Sequence, residues 1–286
     1  MVAIVTPLAL LAACNERGER LGILDTVPPP RFGAPQRVGA LSSPVADEDP
    51  TFTEDLRELF FMSRRNGTAD IWTSSRAAAT EQWGPPVLVA ELSSPADDWA
   101  PAIAPNGRTI WFTTDRDGGA EQIWYALRAA PGMAWGAPHA VPELAGGFAD
   151  RDPAVDDTER TLYFSSNRAG DGGFDLYVAT RPALNASWEA PAPVPGIITA
   201  DKELDPFVAG GGLLLFFART GPTEEGDIYW SNRGSTTAPW SPAVPLDSIN
   251  SKSYDSDPSV SVDLSYMMFS SKRTGNGEIY EARALP

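Results

Sequence analysis

Residues 150–180 read DRDPAVDDTERTLYFSSNRAGDGGFDLYVAT, and this stretch carries most markers of a unit that the chain repeats five times. The firmest marker is a proline followed eleven residues later by a phenylalanine, here Pro153 and Phe164. The other pairs are Pro50 and Phe61, Pro101 and Phe112, Pro206 and Phe217, Pro258 and Phe269. These marker prolines are 51, 52, 53 and 52 residues apart. A period of this length is typical of repeat architectures.

Each unit contains four short segments. The first begins at the marker proline, a residue that strands tolerate at their start. The second is a continuous apolar run, typical of a strand covered on both faces. The third reads polar-apolar-aromatic, as in Asp175-Leu176-Tyr177, and the fourth opens with an aromatic residue near a proline, as in Trp188 and Pro191. Four strands without room for a helix predict a propeller blade. We therefore predict an all-β, five-bladed β-propeller with four antiparallel strands per blade.

The two ends of the repeat region complement each other. Residues 31–35 (RFGAP) match residues 134–138 (AWGAP), which open the fourth segment of unit two, while unit five ends after its third segment. We predict that the N-terminal strand closes the last blade, with residues 35–41 pairing with residues 278–283. Closure would protect the open edges of the first and last blades. The alternative is an open solenoid.

The repeat resembles a known family. The strings Phe164-Ser165-Ser166-Asn167-Arg168 and Asp175-Leu176-Tyr177 are similar to the WD40-like propeller repeats of the TolB type. The resemblance covers residues 32–283 and is specific for the fold. It implies binding rather than catalysis, so we expect a protein that is not an enzyme.

The first residues are typical of a sorting signal. Residues 2–13 read VAIVTPLALLAA, a run too short to span a bilayer but suited to a secretion signal. Leu11-Ala12-Ala13-Cys14 resembles the bacterial lipobox, whose cysteine is acylated. We predict a signal peptide over 1–13, lipid attachment at Cys14, a tether over 14–31 and the propeller over 32–286. The alternative is an ordinary N-terminus with a chance cysteine.

This prediction places the propeller in the periplasm or on the cell surface, with membrane contact through the lipid alone. The formal net charge of −16 disfavours nucleic acid as a partner. A single cysteine and a single histidine exclude an internal disulfide and a Cys/His zinc site. We expect a monomer without cofactor or metal, apart from a cation that channel carboxylates could attract.

Acidic residues recur beside each marker proline. Three positions before it stand Asp47, Asp98, Asp150, Glu203 and Asp255. Four units also have aspartate one position before it, and Ala100 is the exception. In a propeller these loops meet around the central channel, so the pattern predicts a ring of carboxylates for a cation or a basic peptide.

A structural role is the alternative. Arginine stands fifteen residues after the proline in four units, as Arg65, Arg116, Arg168 and Arg273, and can pair with the acids. Unit four has Gly221 there, with Arg219 nearby. Under this interpretation Glu203 is the best candidate for a free carboxylate.

Tryptophans recur too. The set at 83, 135, 188 and 240 occupies equivalent positions on separate blades, which indicates packing rather than a sugar platform. Trp99 departs from the pattern, and we expect it to overhang the channel face, with loop packing as the alternative. The predicted ligand site is Asp47, Asp98, Trp99, Asp150, Glu203 and Asp255, without a catalytic residue.

The sequence thus predicts a non-catalytic lipoprotein of the cell envelope that binds a protein or a cell-wall component through the channel face. A carbohydrate-binding or glycoside-cleaving propeller is the second interpretation. A structural spacer without a ligand is the third.

Overall fold

The computed structural model describes residues 28–144, 146–170, 173–222 and 225–285. Twenty strands form five four-stranded antiparallel sheets, which confirms the predicted five-bladed propeller. Within the described residues, no helix is long and apolar enough to cross a membrane. Cys14 and the predicted signal peptide lie outside the described residues.

The strands follow the repeat. The chain begins with β1 (Gln36–Arg37). Blade one contains β2 (Asp47–Phe52), β3 (Glu58–Ser63), β4 (Asp70–Ser75) and β5 (Val87–Leu88). Blade two contains β6 (Asp98–Ile103), β7 (Thr109–Thr114), β8 (Gln122–Leu127) and β9 (His139–Ala140). Blade three contains β10 (Asp150–Val155), β11 (Thr161–Ser166), β12 (Asp175–Thr180) and β13 (Ala192–Pro193). Blade four contains β14 (Lys202–Ala209), β15 (Leu214–Thr220), β16 (Gly226–Asn232) and β17 (Val244–Pro245). Blade five contains β18 (Asp255–Val260), β19 (Tyr266–Ser271) and β20 (Glu278–Arg283).

The apolar runs become the second strand of each blade, which is buried between neighbouring blades. All five marker phenylalanines are 0 % exposed. One core cluster joins Phe60 and Ile71 of blade one to Ile110 and Trp135 of blade two. The core therefore lies between blades, because each sheet packs both of its faces against others.

The ring closes as predicted. Strand β1 pairs with β20 in blade five, with Gln36 opposite Glu281 and Arg37 opposite Tyr280. The amide of Val38 donates to the carbonyl of Ile279 at 2.9 Å. Residues more than 230 positions apart in the chain thus complete one sheet, and the open solenoid is excluded.

The recurrent tryptophans are packing residues, as predicted. Trp83, Trp135, Trp188 and Trp240 are 5 to 7 % exposed. An arginine of the same blade lies over each ring, with its guanidinium carbon 4.0 to 4.4 Å from the ring centroid. Stacked and buried in this way, these indoles hold the outer segment of the blade to its sheet.

A bulge interrupts the first strand of every blade. The residue before each marker proline has a positive φ, between 46° and 58°: Asp49, Ala100, Asp152, Asp205 and Asp257. The pairing register shifts at the same place in all five blades. A bulge re-aims side chains. Because of the bulge, the side chain three positions before the proline and the side chain one position before it lie in different environments.

Candidate functional site

The acids three positions before the marker prolines are buried ion pairs. Asp47, Asp98, Asp150, Glu203 and Asp255 are at most 3 % exposed. Their carboxylates lie 2.6 to 2.9 Å from Arg65, Arg116, Arg168, Arg219 and Arg273 respectively. In four blades the carboxylate also accepts from a backbone amide four residues upstream, such as that of Ser43. These five acids therefore tie loop to strand, as in the structural alternative.

Glu203 is not the free carboxylate that we expected. The Nε of Arg219 lies 2.9 Å from its Oε1, and its other contacts are the hydroxyl and amide of Thr199. Arg219 stands two positions before the site of the other arginines, and the extra methylene of glutamate spans the difference. Burial raises the pKa of Glu203.

The acids one position before the prolines lie in the channel instead. Asp49, Asp152, Asp205 and Asp257 line both a narrow channel of about 70 Å³ and a wider cavity of about 400 Å³, which we call the mouth. We call these four side chains the aspartate ring. Ala100 takes the same position in blade two, so the ring has a gap there.

The aspartate ring is under electrostatic strain. Burial, followed by the charge of Asp257, raises the pKa of Asp49 well above its usual value. The same causes in the same order raise the pKa of Asp205, to which Asp152 also contributes. Burial raises the pKa of Asp152, and Arg151 opposes that shift. Carboxyl groups in such a ring retain protons or attract a cation.

The positions two before the prolines form the wall of the mouth. Blade by blade they are Glu48, Trp99, Arg151, Leu204 and Ser256, and all five line the cavity. The flanking positions are acidic in nearly every unit, whereas these five residues all differ. A regular scaffold thus presents five different side chains at one opening, as a specific binding site requires.

Trp99 lies on this wall, half buried, above the gap at Ala100. Blade two therefore contributes a large aromatic side chain to a mouth lined mostly by charged residues. The amide of Ala100 donates to Oδ2 of Asp49 at 2.9 Å, which links the gap to blade one.

Glu48 is the one acid among the five wall residues. Burial, with the charge of Asp257 next, raises its pKa to about 7. Its carboxylate lies directly on Gly277, where a Cβ would overlap it. Glycine at 277 thus leaves the space that the side chain occupies.

Three cations face the carboxylates of the mouth. Arg64 binds both carboxylate oxygens of Asp97, at 3.4 and 3.1 Å. The guanidinium of Arg151 stacks 3.6 Å from the ring centroid of Phe174. The ammonium of Lys272 lies 5.0 Å from the ring centroid of Tyr254.

The wall residues Glu48 and Arg151, and the aspartate ring itself, were missing from the predicted site. A comparison of the five units position by position finds the wall residues, because the position two before the invariant proline differs in every unit and faces the mouth. The ring aspartates instead recur in four units, one position before the proline. Trp99 is the most conspicuous of these differences.

No group of three or more His, Cys, Asp or Glu side chains in the described part of the chain is arranged to hold a metal ion.

The fold has many structural relatives. No protein-family model and no curated protein matches the chain. The α-L-arabinofuranosidase of Podospora anserina, in complex with cellotriose, matches with a TM-score of 0.62 and 11 % identity over 90 % of this chain and 97 % of that one. An endo-arabinase of Bacteroides thetaiotaomicron matches with a TM-score of 0.62 and 14 % identity over 89 % and 97 %. TolB of Acinetobacter baumannii matches with a TM-score of 0.52 and 13 % identity over 86 % of this chain and 56 % of that one.

These likenesses show the fold alone, and they overturn one prediction. We expected a protein that is not an enzyme because the repeat resembles binding propellers. The same five-bladed fold is shared with several glycoside hydrolases, so the resemblance gives no ground for excluding catalysis. The chain is a propeller with both TolB-like and glycoside hydrolase structural neighbours.

Proposed function

We propose that the protein binds carbohydrate at the mouth of its channel. The observation that carries the proposal is a cavity of about 400 Å³ in which Trp99 stands beside ionisable side chains. This volume is within the range of small-molecule sites. An indole offers a flat apolar surface to a sugar ring, and carboxylates accept hydrogen bonds from its hydroxyl groups.

A second feature of the mouth supports a polar, oxygen-rich ligand. The Nε of Arg151 is buried and has no hydrogen-bond partner among the described residues. Its nearest acidic atom is Oδ2 of Asp152, at 3.9 Å. The Arg151 side chain as a whole is 26 % exposed, so a ligand hydroxyl group between it and Asp152 would find both a donor and an acceptor. The carbohydrate ligand of the arabinofuranosidase neighbour is consistent with this use of the fold.

The test is titration calorimetry against neutral oligosaccharides and amino-sugar oligosaccharides of three or four units. We expect one of them to bind and Trp99→Ala to weaken it by about tenfold or more, since aromatic anchors dominate such sites. Val244→Ala, on the exposed outer strand of blade four, is the control and should bind like the wild type. Unchanged affinity of Trp99→Ala, or no binding by any oligosaccharide, would contradict the proposal.

Glycoside cleavage is the second candidate, and Glu48 favours it. Such cleavage needs a carboxylic acid that is protonated near neutral pH and a second carboxylate across the bond. Glu48 has a pKa of about 7, and Asp257 is the charge that most affects it. We expect Glu48→Gln to abolish release of reducing ends while retaining oligosaccharide binding. Equal turnover by this variant and the wild type would exclude the acid role.

We also propose that the protein is an exported monomer anchored through Cys14, with a cell-wall component as its partner. The apolar run and the lipobox-like string support this proposal. Labelled palmitate should enter the wild type and not Cys14→Ser. Incorporation into both proteins would contradict the anchor.

A further inference from the structure

The two acidic positions of the repeat, three and one before the marker proline, differ in their charge partners. Every acid three positions before the proline has an arginine within 2.9 Å. Within the described residues, Asp49, Asp205 and Asp257 of the aspartate ring form no ion pair with a side chain, and Asp152 reaches Arg151 only at 3.9 Å. The repeat thus neutralises one set of acids and leaves the other facing the mouth.

The cations of the mouth do not balance its acids. Among the described residues, seven carboxylates line the mouth against three cations. Arg64 pairs with Asp97, and Arg151 lies 3.9 Å from both Glu121 and Asp152. A ligand that carries a positive charge would offset the repulsion within the aspartate ring, whereas a neutral ligand would not.

The mouth has two unlike sides. Blade two supplies Trp99, and Ala100 stands there in place of a ring aspartate. The two acids of blade two that line the mouth, Asp97 and Glu121, lie 3.1 Å from Arg64 and 3.9 Å from Arg151 respectively. Blades three, four and five supply Asp152, Asp205 and Asp257. A ligand that fits both sides is flat and apolar on one face and cationic at one edge.

We propose that the ligand is a saccharide with a free ammonium group, such as a deacetylated hexosamine oligomer. Its ring face packs on Trp99, and its ammonium group lies among Asp152, Asp205 and Asp257. This inference rests on the proposed carbohydrate function and names the class of sugar.

Burial and mutual repulsion, which raise the pKa of Asp49 and of Asp205, agree with a ring that lacks its counter-charge. A basic peptide would satisfy the charge but makes less use of the flat wall at blade two.

Titration calorimetry with a glucosamine tetramer and its fully N-acetylated counterpart tests the inference. The two probes share rings and linkages and differ mainly in charge. We expect the amino form to bind at least about tenfold more tightly at low salt, and this preference to shrink as salt screens the charges. Because both probes meet the wild-type protein, the comparison does not depend on the folding of a variant.

Asp205→Asn should reduce the preference for the amino form, while Glu54→Gln should leave it unchanged. Glu54 lies in the exposed turn between β2 and β3, at the other end of blade one, and its change removes the same charge. Thermal unfolding of each variant verifies that it is folded.

Equal affinity for the two tetramers would overturn the ammonium inference and leave the carbohydrate function standing. Tighter binding of tetralysine than of the glucosamine tetramer would overturn it in favour of a basic peptide. Failure of all oligosaccharides to bind would overturn the carbohydrate function as well.

Discussion

Asp47 and Asp49 carry the same chemical group two residues apart and have different roles. Asp47 is 0 % exposed, and its carboxylate is held by Arg65 at 2.6 Å and by the amide of Ser43 at 2.5 Å. Asp49 has a φ of 58°, which turns it into the channel. There its one backbone partner is the amide of Ala100. Environment, not residue type, separates a structural acid from a candidate site acid.

Only one of these environments could be predicted from the sequence. Arginine recurs at a fixed distance from four of the acids that stand three positions before the marker prolines. The sequence therefore already indicated that these acids could be paired. The bulge was not predictable, because a residue before proline normally adopts an extended conformation. In three blades a hydroxyl of the preceding blade accepts from the amide of the bulged residue, as Ser270 does for Asp49. Contacts between blades therefore fix a backbone shape that the local sequence disfavours.

Glu48 makes stability depend on pH. Its folded pKa of about 7 lies above the ordinary glutamate pKa of 4.5, so the native state binds more protons than the unfolded state between these values. Stability should therefore fall as pH rises from about 4.5 to about 7, and change less above that. We expect Glu48→Gln to flatten this part of a plot of melting temperature against pH.

Glu54→Gln, on an exposed turn, should leave the slope as it is. The assignment to Glu48 would be wrong if its variant kept the full slope of the wild type.

Blade five shows how much of the architecture one short strand determines. Strand β1 has two residues, yet the segment around it buries Phe32, Val38 and Leu41, which are at most 8 % exposed. The match between residues 31–35 and 134–138 revealed this closure because the repeat preserves the fourth segment. No comparable sequence match between units predicts the wall of the mouth, since its residues differ from blade to blade.

Removing the closing segment should therefore unfold the ring. Each large buried apolar side chain contributes about 2–5 kcal/mol, and three of them approach the whole stability of a domain, about 5–15 kcal/mol. We expect a chain that starts at residue 42 to lose cooperative thermal unfolding, whereas a chain that starts at residue 28 keeps it. A synthetic peptide of residues 28–45 should restore the transition. An unchanged transition in the shorter chain would show that closure is dispensable.

The whole molecule is a symmetric scaffold around an asymmetric opening. Five similar blades place the aspartate ring and five dissimilar wall residues around one mouth. Glycoside hydrolases and TolB share this architecture, so the fold by itself does not determine the activity. What distinguishes this chain lies where the repeat is broken, at Trp99 with Ala100 and at the charged residues Glu48 and Arg151.

In blades one, three, four and five, one acid before the marker proline supports the fold and the other faces the mouth. Blade four allows the most direct test, because Glu203 and Asp205 lie two residues apart in β14. Urea unfolding of Glu203→Gln and Asp205→Asn compares them under identical conditions. We predict that Glu203→Gln lowers the free energy of unfolding by about 3–5 kcal/mol, since it leaves Arg219 without its charged partner. Asp205→Asn should leave this free energy unchanged or raise it, because it relieves repulsion in the aspartate ring. Equal destabilisation by the two substitutions would contradict the division.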